Sequence, residues 1–479
     1  MDLSRLCPGG EGGGIKPALR EMLGWLGQQS APPLTFVYLI DPALGKEMQD
    51  WLRPVDRQIS KLEAPADVAA RENCDVVYCP FGLTEWACPG IPVVTLIVDL
   101  LHQDFPESLQ PVDIAHREQG FRWALERTDL FQVISNYTAM QIRRHGAVES
   151  NRIFRTYLPV QDRLPGPISS SPSRPFPYPY FFYPANAWVH KNHEILLLAY
   201  ASYRHMAGNA AWKLVLTGHL GEAMQHLRQV AATLGLAKDV KFTGYVTDAD
   251  LAKLWDGAGA LVFPSLHEGF GIPLLEAMAR NVPILSSDAT AIPEITGPAA
   301  LLVDGRSLLA LAEGLRRMAS EPALRLSLAA AGRARLAAFD AAAEFGGLLA
   351  TFQAIAGQPA RWRHSGYHGV DGLIESLAIF ALPTNSANGD LEFATSPLGV
   401  ARTLEFWCGA TCLMSLSVFA SAPTVGRMRL PAEARVLTLR VPDASRLNTT
   451  DARTHGVVLT RLCVIAEDGK TTDLRGLPT

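Results

Sequence analysis

Three features are scarce in the sequence, and each scarcity argues against a class of protein. The 479 residues carry 43 lysines and arginines against 47 aspartates and glutamates, and this net charge of −4 gives no support for nucleic acid as the main partner. No apolar run approaches the roughly 20 residues that a membrane-spanning helix needs. The seven cysteines are odd in number and scattered, which argues for reduced thiols. The first residues show no signal-peptide pattern, so we expect a cytoplasmic protein.

The length and composition predict a globular chain of several domains. Apolar residues make up 48% and charged residues 19%, as in globular enzymes, and 479 residues are too many for one core. Six prolines and a Ser-Ser-Ser run mark a linker at 161–179. We therefore predict an N-terminal domain at 1–160, a second domain at 180–357 and a third at 362–479.

Segments of strand character alternate with helical stretches on both sides of the linker. This alternation predicts an α/β fold in which parallel sheets are connected by crossover helices. Functional loops in such sheets follow the carboxyl ends of the strands. From Trp362 onward the chain changes to short strands separated by turns, which suggests a small β-sandwich.

Residues 261–279 are the most informative stretch. A short apolar run is followed by a polar turn with Gly269 and Gly271, and Pro273 then stands where a helix should begin. A strand, a glycine turn and a helix in this order direct backbone N–H groups towards an anion.

Two carboxylates flank this helix start, Glu268 just before it and Glu276 about one turn inside it. Because carboxylates repel a phosphate, they fit better as acceptors for hydroxyl groups on the parts of the ligand beyond the phosphate. A ligand with an anionic centre and hydroxyl groups at both ends is a nucleotide sugar.

The run His-Glu-Gly-Phe-Gly-Ile-Pro-Leu-Leu-Glu-Ala-Met-Ala resembles the signature of retaining, family-4-type glycosyltransferases (glycosyl transferases group 1). The resemblance covers residues 3–355 and implies the GT-B fold, in which two Rossmann-like doubly wound domains face each other across a cleft. It also implies transfer of mannose or a similar hexose from a nucleotide-diphosphate sugar to a glycan or lipid-linked acceptor. The setting would be bacterial polysaccharide biosynthesis, with no metal or other cofactor.

The same resemblance assigns roles to individual residues. Glu268 would hold the sugar hydroxyls, Lys191 would bridge to the diphosphate, and Glu276 would hold the ribose. The family often has His-Asp after the strand that ends here at Val98; this chain has Asp99 instead, with His102 three places later. We take His102 as the first acceptor-side candidate and Asp99 as the second. The full donor-binding set is Gly13, Gly14, His190, Gly218, Tyr245, Val246, Gly269, Phe270, Gly271 and Glu276.

Three alternatives accompany this interpretation. Asp248-Ala-Asp250 spells an acidic motif that binds metal in other glycosyltransferases, but its position predicts the capped start of a helix. The chain could instead be a GT-B nucleotide-sugar epimerase. It could also be a sugar-nucleotide-binding scaffold with a weakened site, because a family histidine and a family arginine are missing. A separate question is peripheral contact with the inner membrane. Four basic residues would allow it, although a solvated helix explains them as well: Arg143, Arg144, Arg152 and Arg155.

Overall fold

A computed structural model describes most of the chain. The described residues are 1–6, 15–28, 34–48, 51–53, 56–82, 85–159, 175–219, 221–368, 373–397, 401–418, 421–444 and 456–476. Most of the predicted linker, together with Gly13 and Gly14, lies outside these ranges.

The N-terminal domain is built on parallel strands with helices between them. Its strands are β1 (Val37–Ile40), β2 (Arg57–Ser60), β3 (Val77–Cys79), β4 (Val93–Ile97), β5 (Leu130–Val133) and β6 (Ile153–Arg155). Its helices are α1 (Ile15–Gly27), α2 (Gly45–Met48), α3 (Val68–Arg71), α4 (Leu101–Asp104), α5 (Pro111–Arg127) and α6 (Asn136–Gly146).

Residues 1–3 join two parallel ladders of this domain. The ladders are β1–β2 and β3–β4–β5–β6. The Leu39 amide donates to the Met1 carbonyl (3.0 Å), and the Asp2 amide donates to the Tyr78 carbonyl (2.9 Å). The first strand is therefore very short, and it lies between β1 and β3.

The middle domain contains a second parallel sheet. Its strands are β7 (Tyr180–Pro184), β8 (Lys213–Thr217), β9 (Val240–Gly244), β10 (Ala260–Phe263), β11 (Ile284–Ser287) and β12 (Ala300–Val303). Its helices are α7 (His193–Ala207), α8 (Glu222–Thr233), α9 (Asp248–Gly257), α10 (Ile272–Ala279), α11 (Ile292–Thr296), α12 (Leu308–Ser320) and α13 (Pro322–Arg335).

The strand order of this second sheet locates its ligand-binding edge. The order is β12-β11-β10-β7-β8-β9, so the chain changes direction between β7 and β10. Ligands of doubly wound sheets bind outside the carboxyl ends of the strands at this switch point. The loops that follow β7 and β10 are therefore the ones to inspect for a site.

Helix α14 (Ala341–Ile355) follows the middle domain and packs back on the N-terminal one. The ring centroids of Trp25 and Phe345 are 5.8 Å apart, and those of Tyr78 and Phe352 are 5.0 Å apart. None of the described helices combines the length and the apolar character that a bilayer crossing requires.

The C-terminal β domain is an antiparallel sheet that curls on itself. Phe393 and Phe406, from strands that are not neighbours, come within 4.5 Å between ring centroids and enclose an apolar core. The strands described are β13 (His364–His368), β14 (Leu373–Ala381), β15 (Asp390–Pro397), β16 (Arg402–Cys408), β17 (Thr411–Val418), β18 (Thr424–Arg429), β19 (Val436–Arg440), β20 (Val457–Ile465) and β21 (Thr471–Asp473).

The β domain shares core with the N-terminal domain. Ile379 and Val436 belong to one apolar cluster with Val77, Ile91 and Val93. Two ion pairs at this interface differ in burial. Arg440 Nη2 lies 2.7 Å from Asp67 Oδ2, and the Asp67 side chain is 1% exposed. Arg435 Nη1 lies 2.6 Å from Asp75 Oδ1, and both of these side chains are more than half exposed.

The two ion pairs predict different costs of truncation. Arg440→Ala leaves the buried Asp67 carboxylate without its partner, which should cost about 2–5 kcal/mol and lower the thermal midpoint. Arg435→Ala, the matched control, removes an exposed partner, and exposed pairs contribute about 0–1 kcal/mol. Differential scanning calorimetry of both variants is the measurement. Equal shifts would contradict this account of the interface.

Candidate active site

The loops after β7 and β10 are fastened to each other by backbone and amide hydrogen bonds. The Leu266 amide donates to the His190 carbonyl at 2.7 Å. Asn192 adopts a left-handed conformation (φ 63°), and its side-chain amide donates to the carbonyls of Pro264 (3.0 Å) and Gly305 (2.7 Å). These bonds bring the two loops of the switch point together as one unit.

Lys191 and Glu268 meet at this junction. Lys191 Nζ lies 2.5 Å from Glu268 Oε1, and the two side chains are 14% and 10% exposed. The backbone of each residue is held separately: the Tyr183 hydroxyl donates to the Lys191 carbonyl (2.9 Å), and the Glu268 amide donates to the Thr290 hydroxyl (2.9 Å). Lys191, which is expected to bind the phosphate, and Glu268, which is expected to bind the sugar, are thus adjacent and form an ion pair.

The helix that follows has the predicted start. Gly271 occupies the N-cap position of α10 at φ 98°, a conformation that favours glycine, and Pro273 lies in the first turn. Gly271 has no side chain, so it does not compete for the amides of the first turn. Glu276 lies inside the helix and is 4% exposed. The Phe270 ring packs between Tyr157 and Phe339, which leaves only its backbone for a ligand.

His190 is a neutral group in this site. Its ring is buried, and burial together with the neighbouring Lys191 ammonium lowers its pKa to about 4. The negative charges of Glu268 and Asp99 offset only part of this effect. At neutral pH His190 can therefore donate one hydrogen bond and accept another, but it does not add positive charge.

The N-terminal domain contacts the motif at Gly269. A Cβ atom at this position would lie 1.9 Å from the Val98 carbonyl oxygen and 3.3 Å from the Asp99 Cβ. Only glycine permits this approach between the domains. The Asp99 carboxylate accepts from the Leu101 amide (3.0 Å) and lies 3.4 Å from Arg117 Nη1, so Asp99 belongs to the cleft.

His102 is placed differently from Asp99. Its ring is 6% exposed, lies edge-on to Phe121 of α5, and has Nε2 3.7 Å from Glu118 Oε2. Neither ring nitrogen has a hydrogen-bond partner among the described residues, and burial lowers its pKa. Of the two acceptor-side candidates, the structure therefore places Asp99 next to the motif, whereas His102 is packed beneath α5.

The remaining predicted positions lie along the same edge of the middle sheet. Gly218 directly follows β8 and has φ 150°, and a Cβ added there would lie 2.6 Å from the Ala185 carbonyl oxygen. Tyr245 follows β9 and is 72% exposed, and Val246 beside it is partly exposed. Asp248 and Asp250 fall in the first turn of α9 behind the N-cap Thr247, which confirms the predicted helix start.

Glu294 is a residue whose role the sequence did not reveal. Its carboxylate accepts from the amides of Asn136 (2.7 Å) and Tyr137 (3.0 Å) and from the Tyr157 hydroxyl (2.9 Å). It thus caps helix α6 of the N-terminal domain from the middle domain. The Pro-Glu-Ile run is visible in the sequence, but its partners lie more than 130 positions away.

The chain contains two Rossmann-like sheets that face each other. The second sheet has a strand, a glycine turn and a helix at its switch point, and this arrangement defines a GT-B fold. Solved structures agree. A glycosyltransferase from Rickettsia africae aligns with 74% of this chain and 98% of its own (TM-score 0.57, 15% identity). HepE from Anabaena, solved with UDP and glucose, aligns over 72% and 97% (TM-score 0.56, 15% identity).

Residues 170–335 match the glycosyl transferases group 1 family. O-antigen chain mannosyltransferase B of Escherichia coli is 28% identical over 52% of this chain and 66% of its own length. O-antigen chain mannosyltransferase RfbU of Salmonella typhimurium is 34% identical over 26% of this chain and 34% of its own. The chain therefore matches just under two thirds of the first relative and about a third of the second.

The neutral state of His190 predicts a pH dependence of stability. Its pKa is about 4 in the folded chain against 6.5 in the unfolded one, so protonation favours unfolding. The stability that it contributes is complete above pH 6.5 and is lost as the pH falls through 4. We expect His190→Asn to show a smaller drop in thermal midpoint than the unchanged chain between about pH 7.5 and about pH 4.5. Equal drops would contradict the assignment.

Proposed function

We propose that this chain is a retaining glycosyltransferase that moves mannose or a similar hexose from a nucleotide-diphosphate sugar to a glycan or lipid-linked acceptor in bacterial polysaccharide biosynthesis. The observation that carries the proposal is the meeting of Lys191 and Glu268 at the switch point, directly before the N-terminus of α10. A cation and helix amides suit a diphosphate, and an adjacent carboxylate suits sugar hydroxyls.

The remaining residues fit around such a donor. Glu276 would accept hydrogen bonds from the ribose, while Gly218, Tyr245 and Val246 would line the nucleobase end. Neutral His190 would contact the sugar or phosphate without repelling Lys191. The family resemblance assigns Gly13 and Gly14 to the diphosphate and sugar of the donor, and Asp99 would face the acceptor.

The reaction needs stabilisation of the leaving diphosphate. The bond from the anomeric carbon to the phosphate oxygen breaks while an acceptor oxygen forms a bond to the same face of that carbon. The proton of the acceptor hydroxyl passes to the leaving phosphate oxygen, so no protein nucleophile is required. Lys191 and the amides of α10 supply fixed positive potential where negative charge develops.

The names of the relatives support the sugar and the setting. Two of them are O-antigen chain mannosyltransferases, which motivates mannose as the transferred sugar and a bacterial surface polysaccharide as the product. The close contact of Gly269 with Val98 holds the N-terminal domain against the motif. A donor bound between the two domains would be shielded from water, which would limit its hydrolysis.

A thermal-shift screen against nucleotide sugars tests the proposal. The panel contains GDP-mannose, UDP-glucose and UDP-N-acetylglucosamine, each with and without the chelator EDTA. A ligand at 100 times its Kd stabilises the folded chain by about 2.7 kcal/mol, which is readily measured. We expect one member to raise the midpoint and to be turned over equally with and without EDTA. Donor binding without turnover would favour the scaffold alternative, and activity restored only by magnesium or manganese would refute metal independence.

The two glutamates should separate binding from catalysis. Glu276→Ala should mainly raise the donor KM, because ribose contacts are the same in the ground and transition states. Glu268→Ala should mainly lower kcat, because its carboxylate interacts more strongly as the sugar ring gains positive charge. Each effect should be about 10- to 150-fold, as for one hydrogen bond to a charged group.

Steady-state kinetics on both variants is the measurement, with circular dichroism to confirm folding. Glu268→Gln is the matched variant, because it keeps the shape of the side chain and removes only its charge. Reversed effects would exchange the two roles. If both alanine variants behaved as the unchanged chain does, the motif at 261–279 would not be the active site.

A further inference from the structure

Asp104 lies at the centre of a polar cluster that joins the two domains. It is the last residue of α4 in the N-terminal domain, and its side chain is 8% exposed. One oxygen lies 3.2 Å from His145 Nε2; the other lies 3.1 Å from His267 Nε2 and accepts from the Tyr137 hydroxyl at 3.0 Å. His145 and Tyr137 belong to α6, whereas His267 belongs to the middle domain.

The carboxylate is held in its charged form. Burial opposes its ionisation, but the hydrogen bonds from His267, Tyr137 and His145 outweigh burial and lower its pKa. A carboxylate only accepts hydrogen bonds, so both imidazoles donate to it through Nε2. Asp104 therefore fixes the ring orientation of His267, whose side chain is 4% exposed.

His267 directly precedes Glu268, so its anchoring bears on the position of the reacting sugar. The other hydrogen bonds and the ion pair that hold Glu268 come from the middle domain, through Thr290, Ala291 and Lys191. The cluster at Asp104 adds an attachment from the opposite domain. The capping of α6 by Glu294 keeps that helix, and with it Tyr137 and His145, against the same part of the middle domain.

We propose, on the basis of the glycosyltransferase function proposed above, that Asp104 is a positioning residue for the transfer step: through His267 it fixes Glu268 relative to the donor sugar. Asp104 does not itself contact the substrate. Its loss leaves Lys191, Glu276 and the amides of α10 unchanged, so donor affinity is retained. The orientation of Glu268 is relaxed, and a displacement of about 1 Å at a reacting centre can cost about 100-fold in rate.

Kinetics with GDP-mannose as the probe tests this role. Asp104→Ala should lower kcat for release of GDP by about 10- to 150-fold, while the Kd for GDP-mannose from isothermal titration changes by less than about twofold. Asp104→Asn keeps a hydrogen-bond acceptor, so its kcat should lie between those of the unchanged chain and of Asp104→Ala. Parallel losses of affinity, kcat and thermal midpoint would show a merely structural role and would overturn the proposal.

A double-mutant cycle tests whether Asp104 acts through His267. The variant that combines Asp104→Ala with His267→Ala should lose no more activity than the worse of the two single variants. Independent, additive losses would overturn the proposed connection. His226→Ala is the matched control: it removes an acid–imidazole contact of 3.0 Å, to Glu194, on the exposed surface of the middle domain. Its kinetics should equal those of the unchanged chain.

Hydrogen–deuterium exchange separates this proposal from the proposed function. In the absence of any donor, Asp104→Ala should exchange faster than the unchanged chain in peptides that cover His267 to Gly271, while peptides from β10 exchange equally. Unchanged exchange in this segment would refute the positioning role. An unchanged chain that turns over no nucleotide sugar would refute the proposed function, and the exchange result would still decide whether Asp104 holds the loop.

Discussion

The amides at the N-terminus of α6 need acceptors, and the chain supplies them from two domains. Ser135 accepts from the Thr138 amide within the N-terminal domain, and Glu294 of the middle domain accepts from the two amides before it. A helix N-terminus carries partial positive charge, so the carboxylate also complements the helix dipole. These shared hydrogen bonds stabilise the relative position of the two domains, and the close contact of Gly269 with Val98 depends on that position.

Because the two domains are packed against each other here, several charged groups near the motif are buried. A buried charge is tolerated only when it is paired or hydrogen-bonded. Three described carboxylates at the interface have such partners: Glu268 has Lys191, Glu294 has backbone amides, and Asp104 has two imidazoles and a hydroxyl. The charge of each of these groups is therefore balanced locally, by its own neighbours.

The sequence predicts the parts of this structure that depend on local patterns. The glycines and proline around Gly271 specify the turn and helix start, and the alternation of strands and helices specifies two parallel sheets. Glu294 and Asp104 could not be assigned because their partners are distant in sequence, and no local rule connects a carboxylate to a helix of another domain. The family resemblance favours His102 as the first acceptor-side candidate, but helix α4 directs its ring towards Phe121. Asp99 precedes that helix and stays in the cleft.

The pairing of Lys191 with Glu268 has a consequence for the proposed reaction cycle. In that cycle the diphosphate of a bound donor would pair with Lys191 and its sugar hydroxyls would donate to Glu268, so neither buried charge would be left without a partner. Since the backbones of both residues are held by Tyr183 and Thr290, only side chains need to move. After transfer, the nucleoside diphosphate would still be bound at Lys191, but the sugar would have left Glu268. That carboxylate is then buried without its cation, which is unfavourable and can be relieved by re-forming the ion pair. In the proposed cycle, the ion pair of Lys191 with Glu268 would therefore favour release of the product nucleotide.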